Sequence, residues 1–214
     1  MTTATPHIVL LGDSIFDNSL YTRGEPDVVT HLRAVLPAGG RATLIAVDGS
    51  ITRSMPRQVS RIPADATHLV VSIGGNDALS NSDLLEAPAK STADALRRFD
   101  ERLATFEADY RAAVQPVLDL GIPTTLCTIY NGAFDDPDQA RRARVALMMF
   151  NDAILRLAFE RHASVIDLRL VCNDRTAYAN AIEPSGSGGL KIARVIARAA
   201  NLPAAGDHSS VFCR

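Results

Sequence analysis

Three short polar clusters hold the residue types that acyl transfer needs. Gly12-Asp13-Ser14 follows the apolar run His7 to Leu11, Asp48-Gly49-Ser50 follows Ala42 to Val47, and Gly74-Gly75-Asn76-Asp77 follows His68 to Ile73. Between them they offer a hydroxyl, a small residue with an accessible backbone N–H, and a side-chain amide. A hydroxyl can attack a carbonyl, and N–H and amide donors can hold the oxyanion that results. Each cluster alone reads as a turn or helix cap, because Gly, Asp, Asn and Ser favour those positions for backbone reasons. Their chemistry depends on convergence, and so on the elements that carry them.

The three apolar runs, with Thr124 to Ile129 and Ser164 to Leu168, are rich in Val, Ile and Leu and read as buried strands. Stretches of helical period separate the later ones. Leu96, Phe99, Leu103, Phe106, Tyr110, Val114 and Val117 mark one apolar stripe, with Gly121 as a stop and Pro116 as a kink near the end. A second helix is expected from about Pro137 to His162 with Val145, Met148, Ile154 and Leu157 inward, Met148 and Met149 acting as core filler. A third runs from about Gly188 to Ala200. Continuous apolar strands alternating with helices imply a parallel sheet covered on both faces. The expectation is an α/β fold, a three-layer α/β/α sandwich with a five-stranded parallel sheet, forming a single domain over residues 1–214 with a loose tail at 201–214. In such sheets the binding crevice lies at the carboxyl ends of the strands, where all three polar clusters sit.

With that setting, the sequence resembles the SGNH hydrolases, also called GDSL-type esterases and lipases. The resemblance rests on Gly12-Asp13-Ser14, Gly49 and Gly75-Asn76-Asp77 in the family's order, each after its strand. It implies a flavodoxin-like sheet of order 2-1-3-4-5 over nearly the whole chain. It also implies that Ser14 is the nucleophile and that the N–H groups of Ser14 and Gly49, with the Asn76 amide, form the oxyanion hole. Asp13 and Asp77 look like loop-bracing neighbours.

The family's last motif places an Asp, two residues, then the His that acts as general base. Here Asn180 stands in the Asp position and Glu183 in the His position. His7 and His68 open their strands and fall about 20 Å from Ser14 at roughly 3.3 Å per residue. His31 and His162 lie on or near helices, and His208 lies in the tail. The chemistry then turns on Glu183, whose carboxyl can become a useful base if burial raises its pKa from about 4.3. Asn180 suits that role, since its amide can hold a carboxylate without adding like charge. The competing reading is that Glu183 caps a turn and Ser14 binds without turnover.

Composition narrows the partners. The 214 residues carry 22 Lys+Arg against 24 Asp+Glu, a formal charge of -2, with no basic block to mark nucleic acid or an anionic membrane. The longest stretch free of charged residues, Leu120 to Phe134, is too short and too broken for a membrane span. No basic start precedes the run Ile8 to Leu11, as a secretory signal would require, so a cytoplasmic protein is expected. Cys127, Cys172 and Cys213 fit neither a disulfide framework nor a metal motif. The expected reaction is cleavage of a small carboxylic ester with no cofactor and no metal. Two alternatives stand beside it. One is a catalytically silent binding protein on the same scaffold. The other is a metal-dependent phosphoesterase using Asp13, Asp17, Asp48, Asp77 and Glu183. The glycines from Gly186 to Gly189 hint weakly at a nucleotide, without a fingerprint or Walker lysine. Tyr130 and Asn131 are either pocket lining or ordinary turn. The sequence carries nothing on oligomeric state.

Overall fold

A computed structural model describes residues 5–200 and 209–213. Parallel strands β1 (His7–Gly12), β2 (Arg41–Leu44), β3 (His68–Ser72), β4 (Thr124–Cys127), β5 (Ser164–Ile166) and β6 (Val211–Phe212) form one sheet of order β2-β1-β3-β4-β5-β6. The first five strands take the expected order. The sixth corrects the expected count: residues 211 and 212 come from the segment read as a loose tail, yet they pair with Val165 and Ile166 of β5. A two-residue strand with Phe212 buried and Val211 exposed leaves almost no periodic signal in a sequence. The rest of that tail, residues 201–208, lies outside the described residues, and His208 with it.

Side chains alternate across the sheet with the strand period of two. Ile8 and Leu10 face a core shared with α1 (Val28–Val35) and α7 (Gly186–Ala200), while Val9 and Leu11 face one shared with α4 (Thr92–Leu118) and α5 (Pro137–Glu160). The helices start where capping chemistry allows. The Asp27 side chain accepts the Thr30 N–H before α1, Ser91 accepts that of Asp94 before α4, and Asp136 accepts that of Asp138 before α5, which opens on Pro137. Helix α4 continues through Pro116, which lies in its last turn.

Two expectations about helix faces fail. Val145 and Met148 are half exposed rather than inward; Ala143, Ala146, Phe150, Ile154 and Leu157 form the buried stripe of α5. Leu96, at the start of α4, is also exposed. On α5 alanines take core positions and larger neighbours are left outside, whereas the buried stripe of α4 begins only at Phe106. The glycines at the start of α7 serve close packing: a Cβ on Gly188 would fall 2.0 Å from the Ala177 carbonyl oxygen, and one on Gly186 would fall 2.2 Å from the Glu25 carboxylate. That requirement accounts for them without a nucleotide.

Candidate active site

Strand β1 delivers Ser14 to the carboxyl edge of the sheet through a tightly held turn. Gly12 has φ +132°, and a Cβ there would fall 1.7 Å from the Ser72 carbonyl oxygen, so only glycine fits. The buried side chain of Gln58 grips Gly12 at both ends: Gln58 Oε1 accepts the Gly12 N–H at 2.8 Å, and Nε2 donates to its carbonyl at 2.7 Å. Asp13 N–H donates to Ser72 O at 3.1 Å, tying the turn to β3. Phe16, wholly buried, anchors the far side.

The other two polar loops are locked to each other. Asp77 accepts the Thr52 hydroxyl at 2.6 Å and the Thr52 N–H at 3.0 Å, while Asn76 Nδ2 donates to Ser50 O at 2.9 Å. An amide nitrogen carries two hydrogens, so Asn76 retains a second donor. These bonds hold the loop after β2 against the short helix α3 (Gly75–Leu79) that follows β3.

Glu183 arrives from the chain that precedes α7. Tyr130 OH donates to Ile182 O, Asn18 Nδ2 donates to Pro184 O at 3.1 Å, and Ala133 N–H donates to Ala181 O at 2.7 Å. Two loops, the one after β1 and the one after β4, thus pin the segment on either side of one carboxylate. The Ser14 hydroxyl donates to Glu183 Oε1 at 3.2 Å, and both residues are buried. Glu183 Oε2 is buried with no hydrogen-bond partner among the described residues.

Burial raises the Glu183 carboxyl to about 7; the bond from Ser14 favours its charged form, and the Asp48 carboxylate pushes it up further. Asp13, just 3% exposed, is likewise raised to about 7 by burial, restrained by the N–H of Ile15 and raised again by the charges of Glu183 and Asp77. Two carboxyls beside one hydroxyl therefore release their protons near neutrality and oppose each other's charge.

Ser14, Asn76, Glu183 and Asp13 all line a cavity of about 250 Å³, whose other walls come mainly from α5, the loop after β4, and α3 with the turn that follows it, Phe99 being the contribution of α4. The structure brings these four together and leaves two expected partners elsewhere. Gly49, exposed with φ +74°, is not part of that wall. Asn180 does not hold the Glu183 carboxylate: its Oδ1 accepts the backbone N–H groups of Ile182 and Glu183, each at 2.9 Å, so it shapes the loop instead. The spacing between 180 and 183 suits this turn, in which a short amide side chain reaches forward to its own backbone. Gln58 is a residue that sequence reasoning passes over, because a lone glutamine in a short helix has no distinctive spacing. Tyr130 lines the cavity as well as bracing Ile182, and Asn131 lines it too. Cys127 also reaches the wall, with its thiol kept protonated by burial. Among the described residues, no three His, Cys, Asp or Glu side chains group as a metal ion would require.

Residues 10–188 match the model of the GDSL-like lipase/acylhydrolase family. The chain belongs to that family. Solved structures share its fold. An extracellular lipase from Streptomyces rimosus is 16% identical, with a TM-score of 0.64, over 91% of this chain and 100% of that one. An acetylxylan esterase from Geobacillus stearothermophilus is 21% identical, with a TM-score of 0.64, over 97% of this chain and 100% of that one. A phospholipase A1 from Streptomyces albidoflavus is 14% identical, with a TM-score of 0.64, over 89% and 98%. At such identities the likeness is one of fold. No curated protein matches the chain closely enough to count as a relative. Among the described residues no helix is long and apolar enough to cross a membrane.

Proposed function

We propose that this member of the family is a serine hydrolase that cleaves a small carboxylic ester, with Ser14 as nucleophile and Glu183 as general base. The observation that carries the reading is the bond from Ser14 Oγ to Glu183 Oε1 at 3.2 Å, at the wall of a cavity, with the carboxyl raised to about 7. A base of that strength is far better matched to a serine at neutral pH than an ordinary glutamate.

In this scheme the Glu183 carboxylate takes the Ser14 proton as Oγ bonds to the ester carbonyl carbon, and the carbonyl oxygen becomes an oxyanion. The free hydrogen of the Asn76 amide and the Ser14 N–H receive that charge, with Gly49 as a third donor if substrate draws its loop inward. Protonated Glu183 then gives its proton to the departing alkoxide, leaving an acyl-serine. Water repeats the sequence, losing a proton to Glu183 and releasing the acid. Asp13 and Asp77 brace the loops. The cytosol is the compartment we favour, since Cys127, Cys172 and Cys213 are all unpaired thiols.

A second reading is favoured by two observations: among the described residues Glu183 Oε2 has no hydrogen-bond partner, and Asn180 Oδ1 is occupied with backbone, so none of them orients the carboxylate as a third triad member would. On that reading the protein holds an ester or related ligand without turning it over. Hydrolysis of short 4-nitrophenyl esters by wild type, Ser14→Ala and Glu183→Gln decides between them. Loss in both variants, with wild-type kcat/KM falling as pH drops through about 7, supports the dyad; equal residual rates in all three sink it. If Glu183→His raises the rate, the pocket is shaped for acyl transfer and the native base is its weak part. Insensitivity of the activity to a chelator would set aside the metal phosphoesterase alternative.

A further inference from the structure

The cavity beside Ser14 is larger than the reacting ester needs. Leu79, Leu85, Phe99, Phe134 and Leu147 line it, and none of the five is buried as a core residue would be. Each leaves apolar surface facing the cavity, close to the nucleophile, where a ligand would cover it. A cavity of about 250 Å³ is far more than an acetyl group fills, so it has room for a chain of several carbons.

The charges of the wall are one-sided. Asp13 and Glu183 belong to it, and among its described residues there is no Lys, Arg or His to receive an anion. Asp48 adds negative charge near Glu183 and is held by the Tyr21 hydroxyl at 2.8 Å. An acyl group ending in a carboxylate or phosphate would enter a low-dielectric space that offers it only like charge.

We infer that the cavity binds an uncharged acyl chain of several carbons and rejects acyl groups that end in an anion. The inference rests on Ser14 being the nucleophile only for the direction in which the chain is presented; the cavity and its charge exist without turnover. The apolar chain lies between α5 and the wall made by α3, the turn after it and Phe99, and the alcohol leaves toward the mouth.

Two measurements test it together. The first is a series of 4-nitrophenyl esters from acetate to decanoate on wild type and Ala146→Phe, which narrows the cavity from α5. Wild-type kcat/KM should climb about fourfold per methylene beyond acetate, the effect of burying one CH₂, and level off within the series once the cavity is filled. Ala146→Phe should shift the preference toward acetate. The second is calorimetric binding at pH 8 of acetamide, octanamide and the half-amide of octanedioic acid, whose far end is a carboxylate. Octanamide should bind at least tenfold more tightly than either of the others.

Ser14-dependent turnover that is flat across the series overturns the acyl pocket and leaves the hydrolase intact. No turnover of any ester ends the hydrolase reading instead, and binding alone then decides: equal affinity for octanamide and acetamide overturns the pocket. Equal affinity for octanamide and its carboxylated analogue overturns the charge selection. If Ala146→Phe does not fold, the wild-type series and the three binding constants still decide.

Discussion

Two poles of the same sheet carry a hydroxyl joined to a proton acceptor, and they invert what residue type alone would suggest. Toward the amino-terminal end, His7 Nε2 lies 2.8 Å from Thr43 Oγ1 and His7 Nδ1 lies 2.9 Å from Asp65 Oδ1. By residue type that hydroxyl, imidazole and carboxylate form the better hydrolytic set. At the carboxyl edge the Ser14 hydroxyl donates to the Glu183 carboxylate. Yet His7, Thr43 and Asp65 are no part of the cavity wall, while Ser14 and Glu183 share it with the Asn76 amide. Asp65, exposed and held below the usual carboxylate range by its bond to Arg41, belongs to a surface ion pair. The comparison teaches that a proton relay is cheap to form wherever polar side chains meet. On the function we propose, access to substrate and donors aimed at a developing charge separate the carboxyl edge from this structural pole.

Several substitutions would break or sharpen that contrast. The largest effect should come from Ser14→Ala, which is expected to lower ester hydrolysis by about 10³-fold or more, while His7→Ala leaves kcat per folded molecule within about twofold; similar losses in both would erase the distinction between the poles. Next, Asn76→Ala should cost about 10²-fold in kcat with little change in KM, as loss of one oxyanion donor does. A change confined to KM would move Asn76 from the transition state to the ground state. His7→Ala should instead cost about 1–3 kcal/mol of stability, since it strips partners from Thr43 and Asp65. Chemical denaturation measures that loss, and an unaltered midpoint would contradict a structural role.

The smallest effect concerns pH. Folded Glu183 and Asp13 keep a proton up to about 7, whereas the same groups in an unfolded chain release it near pH 4. Between those values the native state binds more protons, so stability falls as pH rises through that window. Glu183→Gln removes one such carboxyl. It should raise Tm at pH 8 by a few degrees, at about 2–4 °C per kcal/mol for a chain of this size, even as it abolishes turnover. A Tm that falls instead would mean the carboxylate is favoured where it stands.

Legibility in the sequence tracked the range of the interaction concerned. Strands β1 to β5 and the long helices were readable because burial imposes a period on consecutive residues. The polar turns after β1, β2 and β3 were readable because left-handed backbone at Gly12, Gly49 and Gly74 demands glycine, whatever else surrounds it. The faces of α5 were less so: Val145 and Met148 have the chemistry of core residues but lie outward, because Ala143 and Ala146 allow closer packing on the other side. Asn180 was noticed for the right loop and assigned the wrong partner, since its forward reach to Ile182 and Glu183 N–H groups is a local event that a family position does not specify. Gln58 and Asn18 bridge segments 46 and 166 residues apart, and nothing in their immediate neighbours records such a contact.

The order of strand and helix, the glycine turns and the presence of a carboxylate in place of an imidazole were written in the chain itself, because each depends on residue type and near neighbours. That the hydroxyl of Ser14 meets that carboxylate, that both carboxyls titrate near neutrality, and that an apolar cavity opens beside them were decided only by the folded molecule. Those properties arise from burial and from distances between residues far apart in sequence, and electrostatic and packing energies depend on where groups lie in space.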